Sequence, residues 1–134
     1  MPFRKIANKL ECIAEDAGGP FREEDESCPF FDWMSKLPPK LQAKCLSRLE
    51  RLREMGHELR RPEADYLRNG IYELRATLRG VNHRLLYFFH GNIAAVVSHG
   101  LVKERVVPPR EIDRAIERMR QFEANPKKHT LEEF

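Results

Sequence analysis

Long apolar runs are missing from this 134-residue chain. No stretch approaches the roughly 20 consecutive apolar residues that cross a bilayer, and residues 1–19 lack the apolar core of a secretion signal. A membrane role is therefore not expected, and a cytoplasmic protein is. Cysteine is scarce: Cys12, Cys28 and Cys45 are an odd number without zinc-like spacing. That excludes a disulfide framework and reads as buried or incidental thiols in a reducing compartment. The five histidines, His57, His83, His90, His99 and His129, are scattered without metal-ligand spacing. Neither a P-loop nor a dinucleotide-binding glycine pattern occurs, so no metal, nucleotide or other cofactor is predicted. Charge of one sign is also lacking. Lysine and arginine exceed aspartate and glutamate by only 24 to 21, a net +3 that permits an anionic partner without demanding one. The length suits one domain over residues 1–134.

What is present is concentrated between residues 69 and 111. Residues 70–77 alternate, with Tyr72, Leu74 and Ala76 on one side and Ile71, Glu73, Arg75 and Thr77 on the other. This is the period of a half-buried strand, and it predicts a sheet with a dry face and a wet one. Gly80 and Asn82 mark a turn, after which residues 83–89 place Arg84, Leu86 and Phe88 opposite Leu85, Tyr87 and Phe89. Gly91 and Asn92 mark a second turn. A third apolar run, 93–97, then opens into Ser98, His99, Gly100 and Lys103, so polar chemistry collects where this strand leaves the core.

Around that sheet the chain reads as support. Residues 1–19 carry both helical and strand-like spacing, and a strand ending near Glu15 is the preferred reading. Gly18, Gly19 and Pro20 break it, and 21–27 is an acidic loop with Glu23, Glu24, Asp25 and Glu26, either solvated or a flap over a basic face. Pro29 opens a short helix carrying Phe30, Phe31, Trp33, Met34 and Leu37. Pro38 and Pro39 restart the chain, and Leu41, Cys45, Leu49 and Leu52 recur at helical intervals until Gly56 ends the element. The two helices make a helical hairpin. The second carries Lys44, Arg48 and Arg51 away from its apolar stripe, and Arg68 follows it. These four are candidate RNA-binding residues, because phosphate contacts supply most non-specific affinity for nucleic acid. After Pro108 and Pro109, residues Glu111, Ile112, Ala115, Ile116, Met119 and Phe122 predict an amphipathic C-terminal helix against the sheet or the other helices. The polar tail, 127–134, is expected to fray.

The segments GIYELR, HRLLYFF and SHGLVKERVVPPREIDRA, taken in order, resemble the HigB-like, phage-derived branch of the RelE superfamily, toxins of type II toxin-antitoxin pairs. The resemblance runs from about Pro29 to Phe122; residues 1–28 diverge from it. It implies an α+β fold, a helical hairpin on a twisted, mostly antiparallel sheet of about four strands with a C-terminal helix, and an edge strand early in the chain. It also implies a metal-independent, ribosome-dependent endoribonuclease acting on messenger RNA, held in check by a cognate antitoxin that often carries a helix-turn-helix.

Cleaving RNA through its own 2′-hydroxyl needs a group to take that proton, positive charge on the pentavalent phosphate, and a donor for the leaving oxygen. Arg75 and Arg84 lie on adjacent strands and are candidates for the charge, since arginine does not readily deprotonate. The resemblance points to the same two positions, and to Lys103 as a basic residue near the scissile phosphate. Relatives commonly carry a second lysine there, where this chain has Glu104. His99 has the right pKa range for proton transfer. Glu73 is the other possible base, though two neighbouring arginines push its pKa the wrong way and favour an orienting role. Tyr87 falls on the core face. Two rival readings remain: a non-catalytic module that binds RNA or antitoxin, and an inactive phage-derived remnant.

Overall fold

The structure is a computed structural model that describes residues 18–90, 94–102, 106–126 and 128–129. Within these residues three α-helices form where apolar residues recur at helical spacing behind a proline: α1 (Pro29–Met34), α2 (Pro39–Met55) and α3 (Pro109–Ala124). In each, proline occupies the first turn, where its missing N–H costs nothing and its fixed φ suits the helix. Gly56 ends α2 with φ +55, its N–H bonding the Leu52 carbonyl. None of these described helices is long and apolar enough to cross a membrane.

Among the described residues five strands form one sheet: β1 (Gly18–Pro20), β2 (Ala64–Arg68), β3 (Ile71–Leu78), β4 (Val81–His90) and β5 (Ala94–Val102). Their spatial order is β1-β5-β4-β3-β2, with β2 to β5 antiparallel and β1 parallel to β5. Both tight hairpins turn on two residues at positive φ, Asn69-Gly70 (53° and 87°) and Arg79-Gly80 (52° and 79°). That pairing matches the twist of the flanking strands. The expected α+β fold is therefore present: a helical hairpin, a mostly antiparallel sheet and a C-terminal helix.

Two cores hold it. On one face of the sheet Leu74, Ala76, Leu85, Tyr87 and Val97 pack against Phe30, Phe31, Met34, Leu41, Cys45, Leu49 and Leu52 of α1 and α2. Trp33 lies so close over Gly100 that an added Cβ would sit 2.3 Å from its ring, and only glycine fits there. On the other face Ile71, Leu86 and Phe88 pack against Ile112, Ala115, Ile116 and Phe122 of α3 and against Phe21. Each such large side chain contributes about 1.5–3 kcal/mol on burial. Burial raises the thiol pKa of Cys28 to about 11 and that of Cys45 to about 12, so both are inert core fillers.

Several expectations change here. The sheet has no wholly wet face: α3 covers the second one, and only the Arg75 and Thr77 end of β3 reaches solvent on that side. Gly18–Pro20, expected as a breaker, forms a short strand parallel to β5 at the sheet edge, the position where a strand tolerates proline. β2 was not anticipated. The loop after β1 is acidic but anchored, since Phe21 is fully buried and stacks on His129 at 4.9 Å. His129 in turn bonds the Arg22 carbonyl through Nδ1 at 2.8 Å, so the tail is held at this point where fraying was expected. The strand expected near Glu15, Cys12, the Gly91-Asn92 turn, Lys103 and Glu104 lie outside the described residues.

Candidate functional site

β2 stops at Ala64, so β3 runs past its neighbour. Arg75 N–H still reaches the Glu63 carbonyl at 2.8 Å, and beyond it β3 is an open edge. An open hollow of about 390 Å³ lies there, lined by Arg48, Pro62, Glu63, Arg75, Thr77, Asn82 and Arg84. Its rim at the hairpin end is tied by the Thr77 hydroxyl donating to Asn82 Oδ1 at 2.9 Å.

Arg75 and Arg84 are direct cross-strand partners, so their side chains leave the same face of the sheet. Like charges opposite one another are destabilising unless something intervenes. Glu73 does. Its buried carboxylate meets Arg75 Nη2 at 3.0 Å through Oε1 and Arg84 Nε at 3.1 Å through Oε2. The first is a hydrogen bond; the second is an ionic contact off the N–H line. Asp65, opposite Glu73 on β2, adds a second carboxylate to Arg75 at 3.2 Å and is itself held by Arg61 at 2.8 Å. The Arg61 hydrogen bond is the main reason its pKa lies below the usual carboxylate range.

From the other side of the sheet, Arg48 reaches round the open edge. Its Nε donates to the Arg75 carbonyl at 3.1 Å and its Nη1 lies 3.4 Å from Glu63 Oε2. Arg51 clamps the same carboxylate with two hydrogen bonds, 3.0 and 3.1 Å, which lowers the Glu63 pKa. The hollow is thus a lattice of guanidiniums spaced by ionised carboxylates. Arg75 keeps its buried Nε–H without an acceptor among the described residues. The Arg75 side chain as a whole stays 29% exposed at the wall of the hollow, and it is this exposed part that an anion can meet.

The other expected site residues fall elsewhere. Lys44 is half-buried on α2 and makes no ion pair within the described residues. Arg68 pairs with Asp113 of α3 at 2.7 Å and does not line the hollow. Lys103 lies outside the described residues. Tyr87 packs in the core as its face predicts, and burial pushes its hydroxyl pKa up.

His99 belongs to a second cluster. It pairs with Leu86, which pairs with Glu73, so two strand spacings, about 10 Å, separate His99 from Glu73 on the same face. The register shifts between Leu86 and Tyr87, leaving Ser98 as the extra residue of a β-bulge. As a result Ser98 and His99 both turn toward α3. Ser98 Oγ sits 2.8 Å from His99 Nδ1, and His99 Nε2 sits 3.1 Å from Glu111 Oε1.

The order serine, histidine, carboxylate invites a nucleophile reading, and two facts remove it. Ser98 is fully buried, and Arg118 Nη1 donates to the same His99 Nδ1 at 2.8 Å. Since the guanidinium can only donate, Nδ1 must be the bare nitrogen and Nε2–H donates to Glu111. Burial, then the Arg118 charge, pushes the His99 pKa down to about 4, against the pull of Glu111. His99 is a neutral, three-way tethered residue; Arg118 extends the cluster to Glu23 at 3.3 Å.

Glu63, Asp65 and Arg118 were not singled out from the sequence. Arg118 carried a signal, because Glu111, Ala115, Arg118 and Phe122 form one stripe of α3 at helical spacing. Among the described residues no three His, Cys, Asp or Glu side chains group as metal ligands.

Residues 32–120, about two thirds of the chain, match the family model described as phage derived protein Gp49-like (DUF891). No curated protein matches the chain.

Proposed function

Because the chain belongs to the phage-derived Gp49-like family, a family of RelE-like toxins in toxin-antitoxin systems, we propose that it is the toxin of a type II pair. In this reading it is a HigB-like, ribosome-dependent endoribonuclease that cuts messenger RNA in the cytoplasm and is silenced by a cognate antitoxin. One observation carries the reading: two cross-strand guanidiniums, Arg75 and Arg84, share one buried carboxylate at the wall of an open hollow.

In the reaction the 2′-oxygen attacks the adjacent phosphorus and the bond to the 5′-oxygen breaks. The 2′-proton goes to a base, and the leaving oxygen gains one. Arg84 and Arg75 supply charge to the pentavalent phosphate, where a preorganised donor is worth about 10²–10³ in rate. Glu73 fixes both forks before the substrate arrives, so it is a positioning residue. Lys103, which the resemblance puts near the scissile phosphate, adds a point charge in this scheme. His99 is a structural residue in this scheme, because its bare nitrogen is taken by Arg118 and its basicity is low. The hollow is thus richer in charge than in proton-transfer groups. Dependence on the ribosome follows, since ribosome-held RNA would be delivered in reactive geometry.

A second reading, a binder that does not cut, has one observation in its favour: Glu63, Asp65 and Glu73 already neutralise much of the hollow. Expressing the chain alone in bacteria separates the two. Growth arrest with transcripts cut on the ribosome is the expected result; unhindered growth with intact transcripts, from soluble folded protein, favours the binder.

A further inference from the structure

One pair of guanidiniums at the hollow already holds an anion, and the anion belongs to the protein. Glu63 lies on the short stretch between α2 and β2, where its own N–H and that of Ala64 bond the Arg60 carbonyl. Arg51 grips its carboxylate in a parallel fork, Nε to Oε2 at 3.0 Å and Nη2 to Oε1 at 3.1 Å. Arg48 Nη1 stands 3.4 Å from the same Oε2. Two planar guanidiniums around a pair of anionic oxygens are also what arginines build around a phosphate.

The grip is shallow. The side chains of Arg51, Arg48 and Glu63 are 43%, 31% and 20% exposed, and ion pairs in such contact with solvent contribute little and exchange readily. Glu73 differs, being 3% exposed between Arg75 and Arg84, and is a fixed part of the wall.

Glu63 also stands in the right place to be exchanged. It lines the hollow together with Arg48, Arg75 and Arg84, whereas Arg51 lies behind it and does not. Arg48 Nε donates to the Arg75 carbonyl at 3.1 Å, so the two guanidinium pairs are neighbours along one open edge. Every residue of a nucleic-acid strand carries a phosphate, and a strand held at Arg75 and Arg84 brings the next one to this edge.

We propose that Arg48 and Arg51 form a second phosphate subsite for single-stranded RNA, occupied in the free protein by the Glu63 carboxylate, which the incoming phosphate displaces. This rests on the hollow being the site of the scissile phosphate. A lone phosphate must displace the carboxylate unaided, while a strand anchored at Arg75 and Arg84 presents its second phosphate at high effective concentration. Glu63 therefore favours a chain of phosphates over single small anions.

The test is binding of a 2′-O-methyl adenosine trinucleotide, which cannot be cut, to the whole chain. Glu63→Gln keeps the shape and removes the charge, and it should bind about fivefold more tightly than wild type, the upper end for one exposed ion pair. Glu63→Ala should show the same gain with no side-chain bond to either arginine. Glu54→Gln removes an exposed charge one turn of α2 from Arg51 and should leave affinity within about twofold, since such charges are screened. Arg51→Ala should weaken binding about fivefold in the Glu63→Gln chain and clearly less in the wild type, where it frees carboxylate and phosphate alike. Glu63→Gln and Glu63→Ala binding no tighter than wild type, with Arg84→Ala abolishing all binding, would overturn the exchange and leave the hollow standing. An equal gain in Glu54→Gln, or equal losses on Arg51→Ala in both chains, would also overturn the exchange. Binding by neither the wild type nor Glu63→Gln would overturn subsite and hollow together.

Discussion

Two charged clusters sit side by side on one face of the sheet, and they differ in what lies above them. The Glu73, Arg75 and Arg84 cluster is open, because β2 ends at Ala64 and leaves the edge of β3 uncovered. The Ser98, His99, Glu111 and Arg118 cluster is sealed by α3. Leu86, fully buried, stands between them. Each cluster spends a buried polar residue on pairing, but only the open one leaves its guanidiniums at a surface that an anion can reach. The sealed one, with the more reactive-looking side chains, joins strand to helix. Residue chemistry alone would rank them the other way round; access decides.

The comparison can be broken most forcefully at Glu73. Glu73→Ala leaves buried Arg84 beside Arg75 without their shared counter-charge, and stability should fall by about 3–5 kcal/mol in denaturant unfolding. A loss below about 1 kcal/mol would mean that the open cluster does not depend on its central carboxylate.

Acid sharpens the other side. His99 is held neutral in the fold, with its pKa below the unfolded value, so its contribution is present at pH 7 and lost as pH falls. Between about pH 6.5 and 5, before the carboxylates titrate, stability should drop by about 2 kcal/mol, at 1.36 kcal/mol per pH unit. The groups that face the imidazole are Glu111, Arg114 and Arg118 of α3 and neighbouring Ser98. The drop should vanish in His99→Gln, and a slope that persists there would assign it to another group. The smallest effect belongs to neither cluster. Arg68 and Asp113 pair in solvent, and Arg68→Ala should cost less than about 1 kcal/mol in the same unfolding assay.

How far the sequence reveals this arrangement depends on how strictly each strand alternates. β3 and β4 keep period two, so Glu73, Arg75 and Arg84 share a face by counting alone, and the shared hollow was legible from there. β5 does not keep it. Strict alternation puts Ser98 and His99 on opposite faces, and only the bulge brings them together.

β2 is hidden for a different reason. Of its five residues only Ala64 is fully buried, so a strand on the sheet edge shows no apolar pattern. The Asn69-Gly70 pair was the available signal, because such a dipeptide closes a two-residue hairpin and requires a strand on each side. Reading it would have brought Arg68 opposite Ile71. The irregularity between Tyr66 and Arg68 would still have hidden that Asp65 meets Glu73. Glu63 is harder again, as it reaches the hollow through a loop and through α2 arginines twelve to fifteen residues away. Contacts of that range carry no local periodicity.

The central claim is that a pair of forked guanidiniums grips the scissile phosphate, and replacing one fork with a point charge tests it most directly. Cleavage of ribosome-bound messenger RNA by Arg84→Lys should be slower than wild type by about 10²-fold or more, with an unchanged unfolding midpoint. Cleavage within a few-fold of wild type by that folded variant would contradict the account.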